Sequence, residues 1–245
     1  MSPHEYHRAF VLHRQRYQEH RQRLILWVEG VGKVHTIVAQ RRTRRGQKAH
    51  LIDQPFVLLK VKIQYNPQQD WVRLLDVVTK QHYFKIDYEL QLAQLYINEL
   101  LYWLLPEHVD IELFSTYQAT IEQLNQDNLV TVLRYFECQL LNALGYGIQT
   151  DQDCYGQPVQ AGQAYRLIGY SLFKPTTPAD HCHTIDGQYL QALGCSPRTW
   201  PSMMGQIIQP FIRYHLDYCL NGRALQTRQM IRDYYQRLKK PSVQH

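Results

Sequence analysis

The hydrophobic period changes once along this chain, and that change limits the folds open to it. Up to about residue 80, apolar residues alternate or run in short blocks bounded by turn residues, as strands do. From Asp87 onward they recur at spacings of three and four, as on a helix with one buried stripe. A run of strands followed by a run of helices is an α+β chain.

Five segments carry the strand pattern: Ala9–Leu12, Leu24–Val28, Val34–Val38, Phe56–Ile63 and Trp71–Val78. Glu29-Gly30-Val31-Gly32 and Asn66-Pro67 punctuate them as turns. Five short strands without a long helix predict a small closed barrel of the OB-fold type over residues 1–82. Helices follow. Leu90, Ala93, Ile97, Leu100, Leu101 and Leu104 line one that Pro106 stops. Asp110 is expected to lead a second, with Phe114, Tyr117 and Ile121 inward, and Asp127 to cap a third that ends at Gly145 and Gly147. Residues 149–199 hold Pro158, Pro175, Pro178 and Pro197 and read as a loop-rich insertion with short strands around Tyr165–Phe173. Helical spacing returns from Met204, where Pro210 is expected to kink or break the helix, and Thr227 is expected to cap the last one. Residues 83–148 and 200–240 together make the expected helical domain.

Of the 245 residues, 44% are hydrophobic and 20% charged, enough to build a packed core and too apolar for a disordered chain. The formal net charge of +6 favours polyanionic partners, nucleic acid before anionic membrane. The five cysteines are odd in number and scattered, which argues against a disulfide framework and fits a reducing cytoplasm. No apolar run approaches the roughly 18 residues of a membrane span, and the first residues lack the pattern of a signal peptide.

The densest charge is Arg41-Arg42-Thr43-Arg44-Arg45-Gly46-Gln47-Lys48, between the third and fourth strand segments. Guanidinium forks match phosphate oxygens, and neutralising phosphate releases counterions. A solvated loop tip is the plainer alternative. Arg14, Arg16, Arg21 and Arg23 form a second cluster between the first two strand segments, with Tyr17 placed to stack on a base. On the third helix Arg134, Cys138 and Leu141 stand at i, i+4 and i+7, a cation at one end of an apolar line. By spacing alone these are a surface arginine and a core edge. Asp151, Asp153 and Cys154 lie in the insertion, with His181, Cys182 and His183 further on, but they lack paired CxxC spacing, and no metal or cofactor is expected. Phosphate-loop, dinucleotide-fold, GxSxG and HExxH motifs are absent, so no catalytic residues are assigned.

Several segments taken in order resemble the bacterial recombination mediator family RecO: Arg8–Leu12, Tyr96–Leu101, Leu133–Glu137 running into Leu144–Gly147, and Asn221–Leu225 before Thr227-Arg228. The resemblance implies an N-terminal OB-fold, a helical domain and a zinc-finger-like insertion. It implies a protein that is not an enzyme, that binds single- and double-stranded DNA and anneals complementary strands. It further implies partnership with RecR and with the acidic C-terminal tail of single-stranded DNA-binding protein, to load RecA in recombinational repair at the nucleoid. The tail site of the family falls on Arg134, Cys138 and Leu141. Many members carry four zinc-binding cysteines in the insertion; this chain keeps only Cys154 in the expected region. Two other classes stay open on the residues: a metal-dependent hydrolase using Asp151, Asp153, His181 and His183, and a module that binds RNA or a membrane surface by charge alone.

Overall fold

The computed structural model describes residues 5–39, 53–64, 71–169, 171–177, 184–201 and 203–239. The chain divides into two compact units, Met1–Phe114 with Ala224–His245, and Ser115–Arg223. It is an α+β protein, an antiparallel sheet followed by helices.

Five strands make the sheet of the first unit: β1 (His7–Tyr17), β2 (Arg21–Val28), β3 (Gly32–Ala39), β4 (Val57–Gln64) and β5 (Arg73–His82). All pair antiparallel, in the order β3-β2-β1-β4-β5. Alternate residues build one core: Ala9, Val11, Leu24, Leu26, Val28, Val34, Val57, Leu59 and Val61 are all buried. At about 1.5–3 kcal/mol per large side chain removed from water, this face holds the sheet together. The opposite face is also covered near its middle. Phe114 packs on Phe10 and Trp27 with ring centroids 5.3 and 5.2 Å apart. Burial on both faces is why Ala9–Leu12 and Leu24–Val28 are unbroken apolar runs instead of alternating ones. A bulge between Val11 and His13 shifts the β1–β2 register, and beside it the Asn98 amide donates to the Val11 carbonyl at 3.2 Å. The two ends of the sheet meet at one parallel bridge, His35 opposite Trp71, where the Val72 N–H donates to His35 O at 2.8 Å.

Helix α1 (Tyr88–Leu104) starts at Asp87, whose carboxylate accepts from the N–H groups of Glu89 and Leu90. It buries Leu90, Ala93, Ile97, Leu100 and Leu101. The C-terminal helix of this unit, Gln226–Lys239, is capped from outside itself. Glu99 of α1 accepts from the N–H groups of Gln226 and Thr227 at 2.8 and 2.9 Å, and Thr227, the expected cap, donates its hydroxyl to the same carboxylate. Two helices are thereby tied at a helix N-terminus, where a carboxylate is favoured.

The second unit contains α2 (Phe114–Gln123), α3 (Leu129–Ala143), β6 (Ala164–Ile168), β7 (Leu172–Thr176), β8 (Thr184–Asp186), α4 (Gly187–Leu193) and α5 (Met204–Cys219); the C-terminal helix of the first unit is then α6. Three expectations are corrected here. Asp110 does not lead α2, which begins at Phe114; its carboxylate accepts instead from the Gly30 N–H at 3.2 Å. Asn128, not Asp127, precedes α3, and its side chain bonds to Asn125 and Gln123. Pro210 does not break α5, which runs unbroken through it. Within 149–199 the short strands expected around Tyr165–Phe173 are present as β6 and β7; with β8 they form a three-stranded antiparallel sheet in the order β7-β6-β8, and α4 follows. Pro175 looked like a loop marker, but it sits on the edge strand β7, where no ladder N–H is needed.

Candidate nucleic-acid interface

The β1–β2 hairpin extends past the core as a two-stranded arm, with Gln18 at φ 60° in its turn. Arg14 and Arg16 therefore lie on β1 and Arg21 and Arg23 on β2, not in a loop between short strands as expected. The apolar blocks end at Leu12 and begin at Leu24, but pairing continues through polar residues because a two-stranded ribbon can expose both faces. The positions are set by register: Arg14 opposite Leu24, Gln15 opposite Arg23, Arg16 opposite Gln22, Tyr17 opposite Arg21.

Strand alternation sorts these residues to two faces. On one face the guanidinium of Arg14 stands 3.4 Å from the Asp53 carboxylate, which also accepts from Gln22 at 3.2 Å. Arg14 is thus partly neutralised. Arg16 on this face and Arg21 on the opposite one are exposed, and among the described residues neither has an ion-pair partner. On the other face the side chains converge on Trp71. The Arg23 guanidinium lies over the Trp71 ring at 4.7 Å, Tyr17 meets it at 6.2 Å, and His35 meets its edge at 6.0 Å. Arg23 is further held by its Nε, 3.1 Å from His35 Nδ1, and the other imidazole nitrogen lies 2.9 Å from Glu107. Glu107 in turn is 3.2 Å from the Lys33 ammonium. A cation fixed over an indole, beside a tyrosine 38% exposed, can take a phosphate and a base edge to face.

Trp71 and His35 were not assigned to the site from sequence. The sequence pattern marks Trp71 only as the start of a strand, and its meeting with His35 depends on β3 reaching the residues just before β5, which strand patterns do not encode. The arginine-rich stretch Arg41, Arg42, Arg44, Arg45 and Lys48 lies outside the described residues.

In the second unit α3 carries Arg134, Cys138 and Leu141. Cys138 and Leu141 line a recess of about 70 Å³ with Asn142, Ile148, Thr150 and Leu193. Burial, with neighbouring Glu137 adding, pushes the Cys138 thiol up to about 12, so it is neutral at pH 7 and contributes as a small apolar group. Arg134 lies one turn earlier. Its side chain is 12% exposed and is held at 2.8 Å by Glu137, which is wholly buried. The guanidinium is therefore an internal ion-pair partner, not a free surface cation.

Asp153 is accounted for structurally: it is buried, and its carboxylate accepts from the N–H groups of Tyr155 and Gln157 at 2.8 and 2.9 Å. His181, Cys182 and His183 lie outside the described residues. Among the described residues no three His, Cys, Asp or Glu side chains are grouped to hold a metal, so nothing supports a zinc-finger-like reading of the insertion. Nor is any described helix long and apolar enough to cross a membrane.

Comparison with known proteins gives the arrangement a family. Residues 86–174 match the family model described as Recombination protein O C terminal. Several relatives carry the name DNA repair protein RecO. That of Methylococcus capsulatus is 32% identical over 91% of each chain. That of Stutzerimonas stutzeri is 36% identical over 68% of this chain and 69% of its own. That of Francisella philomiragia is 27% identical over 92% of this chain and 94% of its own. Extended similarity across the sheet and both groups of helices, at these identities, means that this chain belongs to the RecO family of recombination and repair proteins.

Proposed function

We propose that this protein is a non-enzymatic DNA-binding recombination mediator whose strand-binding face is the β1–β2 arm with Trp71. The observation that carries the reading is the convergence of Arg23, Tyr17 and His35 on Trp71, beside exposed Arg16 and Arg21. Aromatic faces accept any base, and the arginines neutralise backbone charge, so binding needs no particular sequence. Strands held this way have reduced mutual repulsion and keep their pairing edges free, which favours annealing. The Arg41–Lys48 stretch adds charge to the same role. The parallel bridge from His35 to Trp71 supports closure of the sheet as an OB-type barrel. Partnership with RecR, engagement of the acidic tail of single-stranded DNA-binding protein by Arg134, Cys138 and Leu141, and loading of RecA in the cytoplasm complete the proposal.

Two measurements test it. Arg16→Ala with Arg21→Ala should flatten the slope of log affinity against log salt for single-stranded DNA by about 1.4, at roughly 0.7 per phosphate contact. Trp71→Ala should lower affinity about tenfold at every salt concentration and leave the slope alone. An unchanged slope removes the face from the assignment, and equal retention of RNA or anionic vesicles favours binding by charge alone. For the mediator role, annealing is followed on DNA coated with single-stranded DNA-binding protein with and without its acidic tail; the tail should be required. Metal-dependent cleavage of the DNA would instead favour a nuclease.

A further inference from the structure

The second unit holds a cavity apart from Arg134, Cys138 and Leu141. It has a volume of about 510 Å³ and lies between the β6–β7 hairpin and α5, lined by Arg166, Gly169, Lys174, Pro210, Phe211 and Tyr214 among others. That size is within the roughly 300–1,000 Å³ typical of small-ligand sites. Its walls differ in chemistry. α5 supplies aromatic and proline rings: Phe211 is anchored against Phe173 with centroids 5.8 Å apart, and Tyr214 is half exposed at the opening. The hairpin supplies two cations. Arg166 and Lys174 are direct cross-strand partners, both half-buried.

Like charges placed directly opposite one another on a sheet repel. Among the described residues no carboxylate lies within ion-pair distance of either cation, and the Lys174 ammonium stands over the Tyr155 ring at 6.0 Å. A hairpin that keeps such a pair beside a ring-lined cavity is set up for an anion with a flat apolar body. We propose that this cavity binds one nucleotide, its phosphate between Arg166 and Lys174 and its base against Tyr214 and Pro210. Neutralising the pair removes the cross-strand repulsion, and the exposed tyrosine face accepts a base without regard to identity. A nucleotide within a DNA strand and a free nucleoside monophosphate share this chemistry. The first source rests on the DNA-binding reading above and gives the protein a second strand contact, on the unit that does not carry the β1–β2 arm.

The test is photo-crosslinking of the full chain to a single-stranded oligonucleotide bearing 4-thiothymidine, with the modified peptide located by mass spectrometry. A crosslink in the peptide containing Phe211 and Tyr214 is expected. It should fall at least tenfold in Arg166→Gln/Lys174→Gln, while the hairpin variant unfolds at or above the thermal transition of the parent because the cross-strand repulsion is gone. Tyr214→Phe should retain binding and Tyr214→Ala should lose about tenfold in affinity. The double glutamine variant should flatten the salt slope by about 0.7, the value for one phosphate contact. Competition by thymidine monophosphate at millimolar concentration assigns the cavity to free nucleotide; its failure to compete assigns it to a strand. Crosslinks confined to the β1–β2 arm overturn this site and leave the DNA-binding reading standing; absence of DNA binding overturns that reading and the strand source, and absence of thymidine monophosphate binding as well overturns the site. Protection of the Tyr214 peptide by an acidic peptide but not by DNA or nucleotide also overturns it.

Discussion

Arg134→Ala provides a sharp test of how α3 is built, because the side chain has two roles that a single substitution confounds. Glu137 is wholly buried and Arg134 nearly so, with 2.8 Å between them at i, i+3. Removing the guanidinium leaves a carboxylate in the core without its cation. Breaking a buried pair from one side costs about 3–5 kcal/mol, far above the 0–1 kcal/mol of an exposed pair. For a chain of this size, where 1 kcal/mol moves Tm by about 2–4 °C, Arg134→Ala should lower Tm by roughly 6–20 °C. Replacing both residues with apolar groups of similar volume, Arg134→Met with Glu137→Leu, removes the desolvation cost with the attraction. The double variant should unfold within a few degrees of the parent or above it. Calorimetry of the parent, Arg134→Met, Glu137→Leu and the double variant completes the cycle. A single variant that loses less than about 1 kcal/mol, or a double variant no more stable than the singles, refutes the buried-pair argument. The same set decides the functional question. If Arg134 takes the acidic tail, the double variant stays folded and still fails to bind the tail peptide. If it binds, the arginine serves structure alone.

Two further predictions follow from local geometry. Gly32 has φ +95°, and a Cβ there would overlap the backbone of Val109, so Gly32→Ala should cost at least about 2 kcal/mol, read as a shift in the urea midpoint; a neutral outcome would mean that the approach of β3 to residues 107–109 is looser than described. His215 is buried with Nδ1 2.6 Å from Phe211 O, and burial lowers its pKa while that carbonyl contact opposes the shift. The unfolded chain, with histidine near 6.5, then binds more protons than the folded one below that pH. The contribution of neutral His215 is complete above about pH 6.5 and declines as pH falls toward the lowered folded value. His215→Gln should therefore lose less stability than the parent between pH 7.5 and 5.5; equal losses would refute the linkage.

What the sequence made legible was what a period records. The α+β class, the existence of all five strands and the inward residues of α1 follow from alternation or helical spacing and recur in the structure. Features that depend on a distant partner were not legible. Thr227 reads as a cap by type, but its helix is capped by Glu99, separated from it by more than a hundred residues. Asp110 reads as a helix start, but it is spent on the Gly30 turn. Pro210 reads as a breaker, yet α5 runs through it among buried Ile208, Phe211 and Ile212, where packing opposes the local cost. Arg134 reads as a surface cation because nothing in a helical i, i+3 spacing reveals that Glu137 is buried.

The same distinction bears on how the proposed strand-binding face would work. Arginines on a solvated loop lose side-chain and backbone entropy when they meet phosphate, at about 1–2 kcal/mol for each backbone residue ordered. Arg16, Arg21 and Arg23 are instead spaced by a strand register that the buried Phe10–Trp27 region anchors, and Arg23 is already stacked and hydrogen-bonded. Their backbone is ordered before DNA arrives. Such a face should hold single strands with modest charge and a shallow salt slope, the stacking on Trp71 supplying the part that salt does not screen. Binding by charge alone would show the reverse, a steep slope with little residual affinity at high salt. The binding isotherms of the Trp71→Ala and Arg16→Ala/Arg21→Ala variants, compared at low and high salt, separate these two modes. Persistence of salt-resistant binding after loss of Trp71 would mean that the stacking platform lies elsewhere.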